Sequence, residues 1–385
     1  MGNGPSEMES VVISSAFWLG RRVFLTGHTG FKGSWLALML SQLNAQVTGY
    51  ALDPPTQPSL FDLARLQSHL HDVRGDIRDA GGLAAAMREA NPEIVVHLAA
   101  QPLVKAGYTD PAGTYATNVM GTVNTLEAAR SCRDLRAVVV VTTDKCYENH
   151  GGATAFLESD ALGGYDPYSN SKACSELVAS CYRDSFFRQA GVALATARAG
   201  NVIGGGDFAA DRIVPDAVRA FMATRALQVR RPDAVRPWQH VLEPLYGYLL
   251  LAEKVFNGGD GFAEGWNFGP GPANERNVEA LITRFMEAWG PGAEWAPDRT
   301  PHPHEAPVLR LDVSKAQSRL GWSCQLDFEE TIAWTADWYR AVADGADAQE
   351  MMLRQIQAYL GQRLRLTSPF PKDAMEAVDA RRLSA

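Results

Sequence analysis

At 385 residues, 46% hydrophobic and 21% charged, the chain exceeds one typical domain and has enough apolar residues for a large core. Its formal net charge of −8 excludes nucleic acid as the expected partner, because phosphate backbones attract basic faces. A small anion held by a few local Arg and Lys remains compatible with that charge.

The first seventeen residues carry Glu7 and Glu9 and lack an export pattern. MGNGPS matches the myristoylation pattern at Gly2 and Ser6, but no basic cluster follows, so it reads as chance. RRVFLTG at 21–27 reads as a strand, 33–45 as a helix and QVTGYAL from Gln46 as a second strand. A third strand starts at His71, a helix covers AGGLAAAMREA, a fourth strand covers 93–100 and a long helix 111–130. AVVVVTTD at 137–144 is almost wholly β-branched at its start, as a strand buried on both faces should be. A helix from about Tyr168 and the strand VALATARAGN complete an α/β, doubly wound parallel sheet. After Asn201 a helix is expected over 214–224, and turn segments at 257–261 and 269–274 interrupt a loop-rich lobe. One amphipathic helix is expected from Gln349. No apolar run is long enough to span a bilayer, so no membrane is expected. The cysteines, five in number and without C-x-x-C spacing, fit free thiols in the cytoplasm.

Three motifs carry chemistry. Gly27, Gly30 and Gly33 follow a strand and open a helix, where glycines permit a tight turn and a helix N-terminus faces a pyrophosphate. Asp53, 20 residues beyond Gly33, reads equally well as an acid for ribose hydroxyls or as the start of a turn before Pro54 and Pro55. Tyr168 and Lys172 stand four apart on one helical face, where an ammonium near a phenol favours the phenolate and lowers the tyrosine toward neutrality. Thr143, Asp144 and Lys145 sit at the carboxyl end of the fifth strand, where ligands of such sheets bind.

TGHTGFKG, LAAQPLV, NVMGTVN, TTDKCYEN, GGYDPYSNSK, RAGNVIGGGD, RPWQHVLEPL and GWNFGP together resemble the CDP-glucose 4,6-dehydratases, of the extended short-chain dehydrogenase/reductase class. The likeness runs from about Phe17 to Trp322, and the pair Asp144-Lys145 is its strongest discriminator. The resemblance implies a Rossmann-like domain for NAD over 17–200, with returning pieces near 237–268. It implies a substrate-binding lobe from 201–236 and 269–345, and a C-terminal helix and tail over 346–385. It implies conversion of CDP-glucose to CDP-4-keto-6-deoxyglucose: oxidation at C4 with bound NAD, loss of water across C5 and C6, and hydride return to C6.

In that reaction Tyr168, assisted by Lys172 and near Thr143, accepts the C4 hydroxyl proton, and Asp144 protonates the leaving C6 hydroxyl. Lys145 either acts as a neutral base at C5, which requires a lowered pKa, or stays charged and stabilises the enolate. For NAD the resemblance implies Gly27, Gly30, Phe31 and Gly33 at the pyrophosphate, and Asp76 and Ile77 at adenine. It implies Ala99, Ala100 and Gln101 near the nicotinamide half, with Asp53, Tyr168 and Lys172 completing the set. Asn201, Arg212, Arg236 and Glu305 are the implied substrate contacts. His302, His304 and Glu305 crowd into one Pro-interrupted loop, and no metal is expected there. A homodimer or higher homo-oligomer is expected, built on the helices after Pro111 and Tyr168. A 4-epimerase would need Tyr168, Lys172 and Thr143 but not Asp144-Lys145, and a non-catalytic nucleotide-sugar binder would need none of these.

Overall fold

Seven parallel strands form the centre of the molecule in the order 3-2-1-4-5-6-7. They are β1 (Arg22–Thr26), β2 (Gln46–Ala51), β3 (His71–Arg74), β4 (Ile94–His97), β5 (Ala137–Val141), β6 (Ala193–Ala199) and β7 (Gly265–Phe268). The computed structural model describes residues 12–152, 154–300 and 308–367. β1 pairs with β2 on one side and β4 on the other, so the strand order reverses there and opens a crevice beyond the strand ends. β5 is buried throughout, as its β-branched run requires. Each fully buried Val there contributes about 1.5–3 kcal/mol over an exposed one.

Helices α1 (Phe31–Gln42), α2 (Ala80–Ala90), α3 (Gly121–Arg130) and α4 (Pro167–Tyr182) cover the sheet. α1 begins at Phe31, two residues earlier than the apolar pattern indicates, because Gly30 takes the extended N-cap conformation. The helix expected over 111–130 is present but contains a π-helical turn at Ala116–Met120 between Pro111–Tyr115 and α3. The fifth strand ends at Val141, earlier than expected. Thr142 and Thr143 are loop, and Asp144–Cys146 is a 3-10 turn capped by the Thr143 hydroxyl. That break from the ladder turns the polar side chains out of the sheet.

The second half supplies α5 (Ile213–Met222), α6 (Leu242–Gly258), α7 (Val278–Trp289), α8 (Phe328–Ala343) and α9 (Ala348–Thr367). α6 went unread in the sequence because it is apolar nearly all round and has no amphipathic period, as befits a helix enclosed by the core. It leads to β7, which adds the sheet's last strand beside β6. Short pairings, Val202–Ile203 with Gln239–His240 and Val235–Pro237 with Glu275–Asn277, carry the chain over the crevice. α9 is clamped to the core through Glu243 on α6. Its buried carboxylate accepts from Tyr359 at 2.7 Å and Arg363 at 3.2 Å.

Candidate active site

One elongated cavity of about 1280 Å³ runs along the carboxyl ends of β1, β2, β4, β5 and β6. At one end is the turn after β1. Gly27 has φ +80°, and a Cβ there would lie 2.7 Å from the Ala99 backbone nitrogen. On Gly33 it would collide with the Gly27 carbonyl, so the turn closes only with glycine at both positions. The result is a shallow backbone cradle at the N-terminus of α1, suited to a pyrophosphate.

Gly27, Gly30, Phe31, Gly33, Asp53, Asp76, Ile77, Ala99, Ala100 and Gln101 all line this cavity. Asp53 stands just past β2 with its side chain 92% exposed, 3.7 Å from Arg74. Asp76 is held below the ordinary carboxylate range, chiefly by hydrogen bonds from Arg78. The loop after β4 is fixed from beneath. Leu98 and Ala99 donate their backbone N–H to Thr26 Oγ1 at 3.1 and 3.2 Å, and Gln101 donates its own to Asn118 at 2.8 Å.

Tyr168, Lys172, Thr143 and Lys145 line the opposite stretch, with Asn201, Arg212 and Arg236 facing them. Asp166 caps α4 and Pro167 occupies its first turn, so the helix starts with Tyr168 turned into the cavity. Lys172 Nζ donates to the Val141 carbonyl at 3.1 Å. Arg212 stands at the N-terminus of α5 without capping it and pairs with Asp207 at 2.7 Å. Arg236 is buried and donates to the Val235 carbonyl at 2.9 Å. Glu305, and with it the 302–305 segment, lies outside the described residues.

Two expectations change on contact with the geometry. Burial pushes the Tyr168 phenol up to about 12, against which hydrogen bonding with Thr143 and the charge of Arg212 work only in part. Lys172 therefore does not bring the phenol toward neutrality by itself. Asp144 is wholly buried and does not form part of the cavity wall; it stands behind Thr143 and Lys145. Its Oδ1 accepts from the Thr143 hydroxyl at 3.0 Å and from Lys145 Nζ at 3.4 Å, and its Oδ2 has no hydrogen-bond partner. Lys145 Nζ also reaches the Asn201 side-chain oxygen at 3.4 Å, so it bridges the fifth and sixth strand ends.

Lys32 was missed. It lines the cavity beside these groups, and burial first, then Arg212 and Lys172, pull its ammonium down to about 7. Its signal was present in the sequence: a cation in the first turn of α1 faces the unfavourable end of the helix dipole. Glu176 and Arg198, buried behind Lys172, were missed as well.

The arrangement offers a dinucleotide cradle, a phenol beside hydroxyl and ammonium groups, a buried acid next to a second ammonium, and arginines for an anionic substrate. A family model described as GDP-mannose 4,6 dehydratase matches residues 24–335. A protein of Salmonella typhimurium named CDP-glucose 4,6-dehydratase is 49% identical over 354 residues, covering 91% of this chain and 99% of the relative. Among solved structures, a double mutant of the dTDP-glucose 4,6-dehydratase DesIV from Streptomyces venezuelae, with NAD bound, matches at a TM-score of 0.70 and 27% identity. It covers 83% of this chain and 97% of that one. A Bacillus cereus UDP-glucuronic acid 4-epimerase shares the fold, with a TM-score of 0.72 and 20% identity over 83% of this chain and 99% of its own.

Proposed function

The chain belongs to the GDP-mannose 4,6 dehydratase family, and on that premise we propose that it converts CDP-glucose to CDP-4-keto-6-deoxyglucose as an NAD-dependent lyase. The observation that carries the reading is one cavity that joins the glycine cradle to Tyr168, Lys172 and the Thr143–Lys145 turn. The relative named for CDP-glucose, at 49% identity over nearly its whole length, supports the choice of nucleotide. Residues that fit NAD are Gly27, Gly30 and Gly33 at the pyrophosphate, Asp76 and Ile77 at adenine, and Ala99 to Gln101 toward the nicotinamide. When bound, NAD would supply the acceptor and later donor of the hydride.

The chain's own groups then divide the proton work. Tyr168 takes the proton of the C4 hydroxyl, with Thr143 beside it on the cavity wall and Lys172 fixed on the Val141 carbonyl. Asp144 protonates the departing C6 hydroxyl. Asp144 stands behind the cavity wall, so its proton passes through the Thr143 hydroxyl, to which it is hydrogen-bonded at 3.0 Å. Lys145, as the neutral amine beside a protonated Asp144, takes the C5 proton as the C6 hydroxyl leaves as water, and gives it back to C5 when the hydride returns to C6. Asn201, Arg212 and Arg236 hold the diphosphate-sugar, and Glu305 contacts the nucleotide. Asp53 binds the adenosine ribose.

The protein works as a homodimer through α3 and α4, whose neighbourhood carries the exposed Met120 and Leu177. It works in the cytoplasm, a setting supported by five unpaired cysteines. Among the described residues no helix is long and apolar enough to cross a membrane.

The test offers the purified protein CDP-, dTDP-, GDP- and UDP-glucose and weighs the sugar by mass spectrometry. Loss of one water from CDP-glucose in preference to the others is expected. An isomer of unchanged mass would make the protein an epimerase, and binding without turnover would make it a sensor.

A further inference from the structure

Beyond the groups that line the cavity, Tyr168, Lys172 and Glu176 form a single stripe along α4 at successive intervals of four residues. Tyr168 faces the cavity and Lys172 reaches the end of β5. Glu176, 3% exposed, points into the sheet behind them. Its Oε1 accepts a short hydrogen bond from Thr142, next to Thr143 in the loop after β5. Its Oε2 accepts from Thr196 at 2.6 Å and from Arg198 at 2.8 Å, both on β6. Thr196 and Arg198 alternate along the strand and so share the face under α4. Arg198 continues to the Tyr147 hydroxyl at 2.8 Å, and that hydroxyl donates to Asn267 on β7 at 2.6 Å.

A carboxylate is costly to bury unless it is paired and hydrogen-bonded, and this one has both forms of support. Apolar residues in place of this buried set would fill the same space at less cost, so fold stability alone gives little reason for the network. We propose that Glu176 is a positioning residue of the active site: its carboxylate, one helical turn from Lys172, lends negative charge to the surroundings of that ammonium and anchors α4 to the strand end that carries Thr143. The inference rests on the reading of Tyr168 and Lys172 as catalytic residues.

The groups around Lys172 favour this assignment. From β4 comes His97, which burial holds down at about 3 and therefore neutral. From the turn after β5 comes Cys146, whose thiol burial pushes well up, so it is neutral too. From α1 comes Lys32, a like charge. Of these facing groups and Glu176, only Glu176 brings a negative charge. Burial pulls Lys172 down to about 8, and Glu176 is the main group that opposes that fall.

The experiment measures kcat/KM for CDP-glucose against pH in the wild type, in E176Q and in the double variant E176Q/R198M, with melting temperatures for all three. Y168F serves as the control for the underlying reading. E176Q should move the alkaline limb of the profile downward by about one pH unit, about a five-fold loss at pH 8 that approaches ten-fold at higher pH. The double variant removes the charge left on Arg198, and should fold and show the same direction of shift. A uniform loss at every pH, with the limb unmoved and the melting temperature lowered, would make Glu176 a purely structural residue and overturn the proposal. A limb that belongs to Lys32 would also stay in place, and would overturn it equally. If Y168F keeps full turnover, the catalytic reading falls and the proposal with it. If Y168F is inactive and the limb does not move in E176Q, the proposal alone fails.

Discussion

Lys172 donates its ammonium to the Val141 carbonyl at 3.1 Å, so the helix that carries Tyr168 is tied to the strand that ends just before Thr143. The contact holds the phenol and the Thr143–Lys145 turn in register across two elements. It also places the ammonium where burial pulls it down to about 8. As pH rises through that value the charge is lost. An alkaline limb in kcat/KM is therefore expected near pH 8, absent in K172R, whose guanidinium keeps its charge. A limb that persists unchanged in K172R would assign it to another group.

Lys32 offers a stability test with a definite sign. Its pKa falls from 10.5 to about 7, with burial the leading cause. Below pH 7 the native state holds a half-buried cation on the cavity wall and bears the full penalty. Between pH 7 and 10.5 the unfolded chain binds a proton that the native state does not, so the native state loses relative stability as pH falls and gains it as pH rises. K32M, which keeps the length of the side chain, should therefore raise the melting temperature more at about pH 6.5 than at about pH 9.5. Equal gains at both values would mean that Lys32 carries no charge penalty.

Arg74 lies 3.7 Å from Asp53 at the cavity edge. If Asp53 binds the adenosine ribose, D53N removes the acid that repels a 2′-phosphate and leaves an arginine able to hold one. The ratio of kcat/KM with NADP to that with NAD should rise by roughly ten-fold, about 1.4 kcal/mol. An unchanged ratio would leave Asp53 as a turn residue only.

Asp144 should act after oxidation at C4. D144N keeps the side chain's shape but removes its proton donor, and turnover should fall by about 10²–10⁴-fold. Reduced cofactor should form on mixing with CDP-glucose and persist, because elimination is blocked. If no reduced cofactor appears and the substrate binds normally, the acid works at the first step instead.

The sheet was legible because its strands are short, apolar and punctuated by helices, β5 most of all. The Gly27, Tyr168 and Thr143 motifs were legible because each pairs a residue type with a position at a strand end or helix start. α6 was not, since a helix buried on every side has no polar face to betray its period. Glu176 and Arg198 were not, because their meaning lies in a meeting of α4 with β6 that no local spacing records. The raised Tyr168 phenol likewise follows from burial, which a helical interval of four does not reveal. Asp144 was found by position, but its place behind the cavity wall rather than on it depends on the early end of β5.

The most direct test uses CDP-glucose carrying deuterium at C4, with and without added NAD. The expected product is a sugar lighter by one water with the deuterium now on C6, since the hydride removed at C4 returns within the same cavity. Deuterium retained at C4, or a product of unchanged mass, would contradict the internal hydride return on which the proposed dehydration depends.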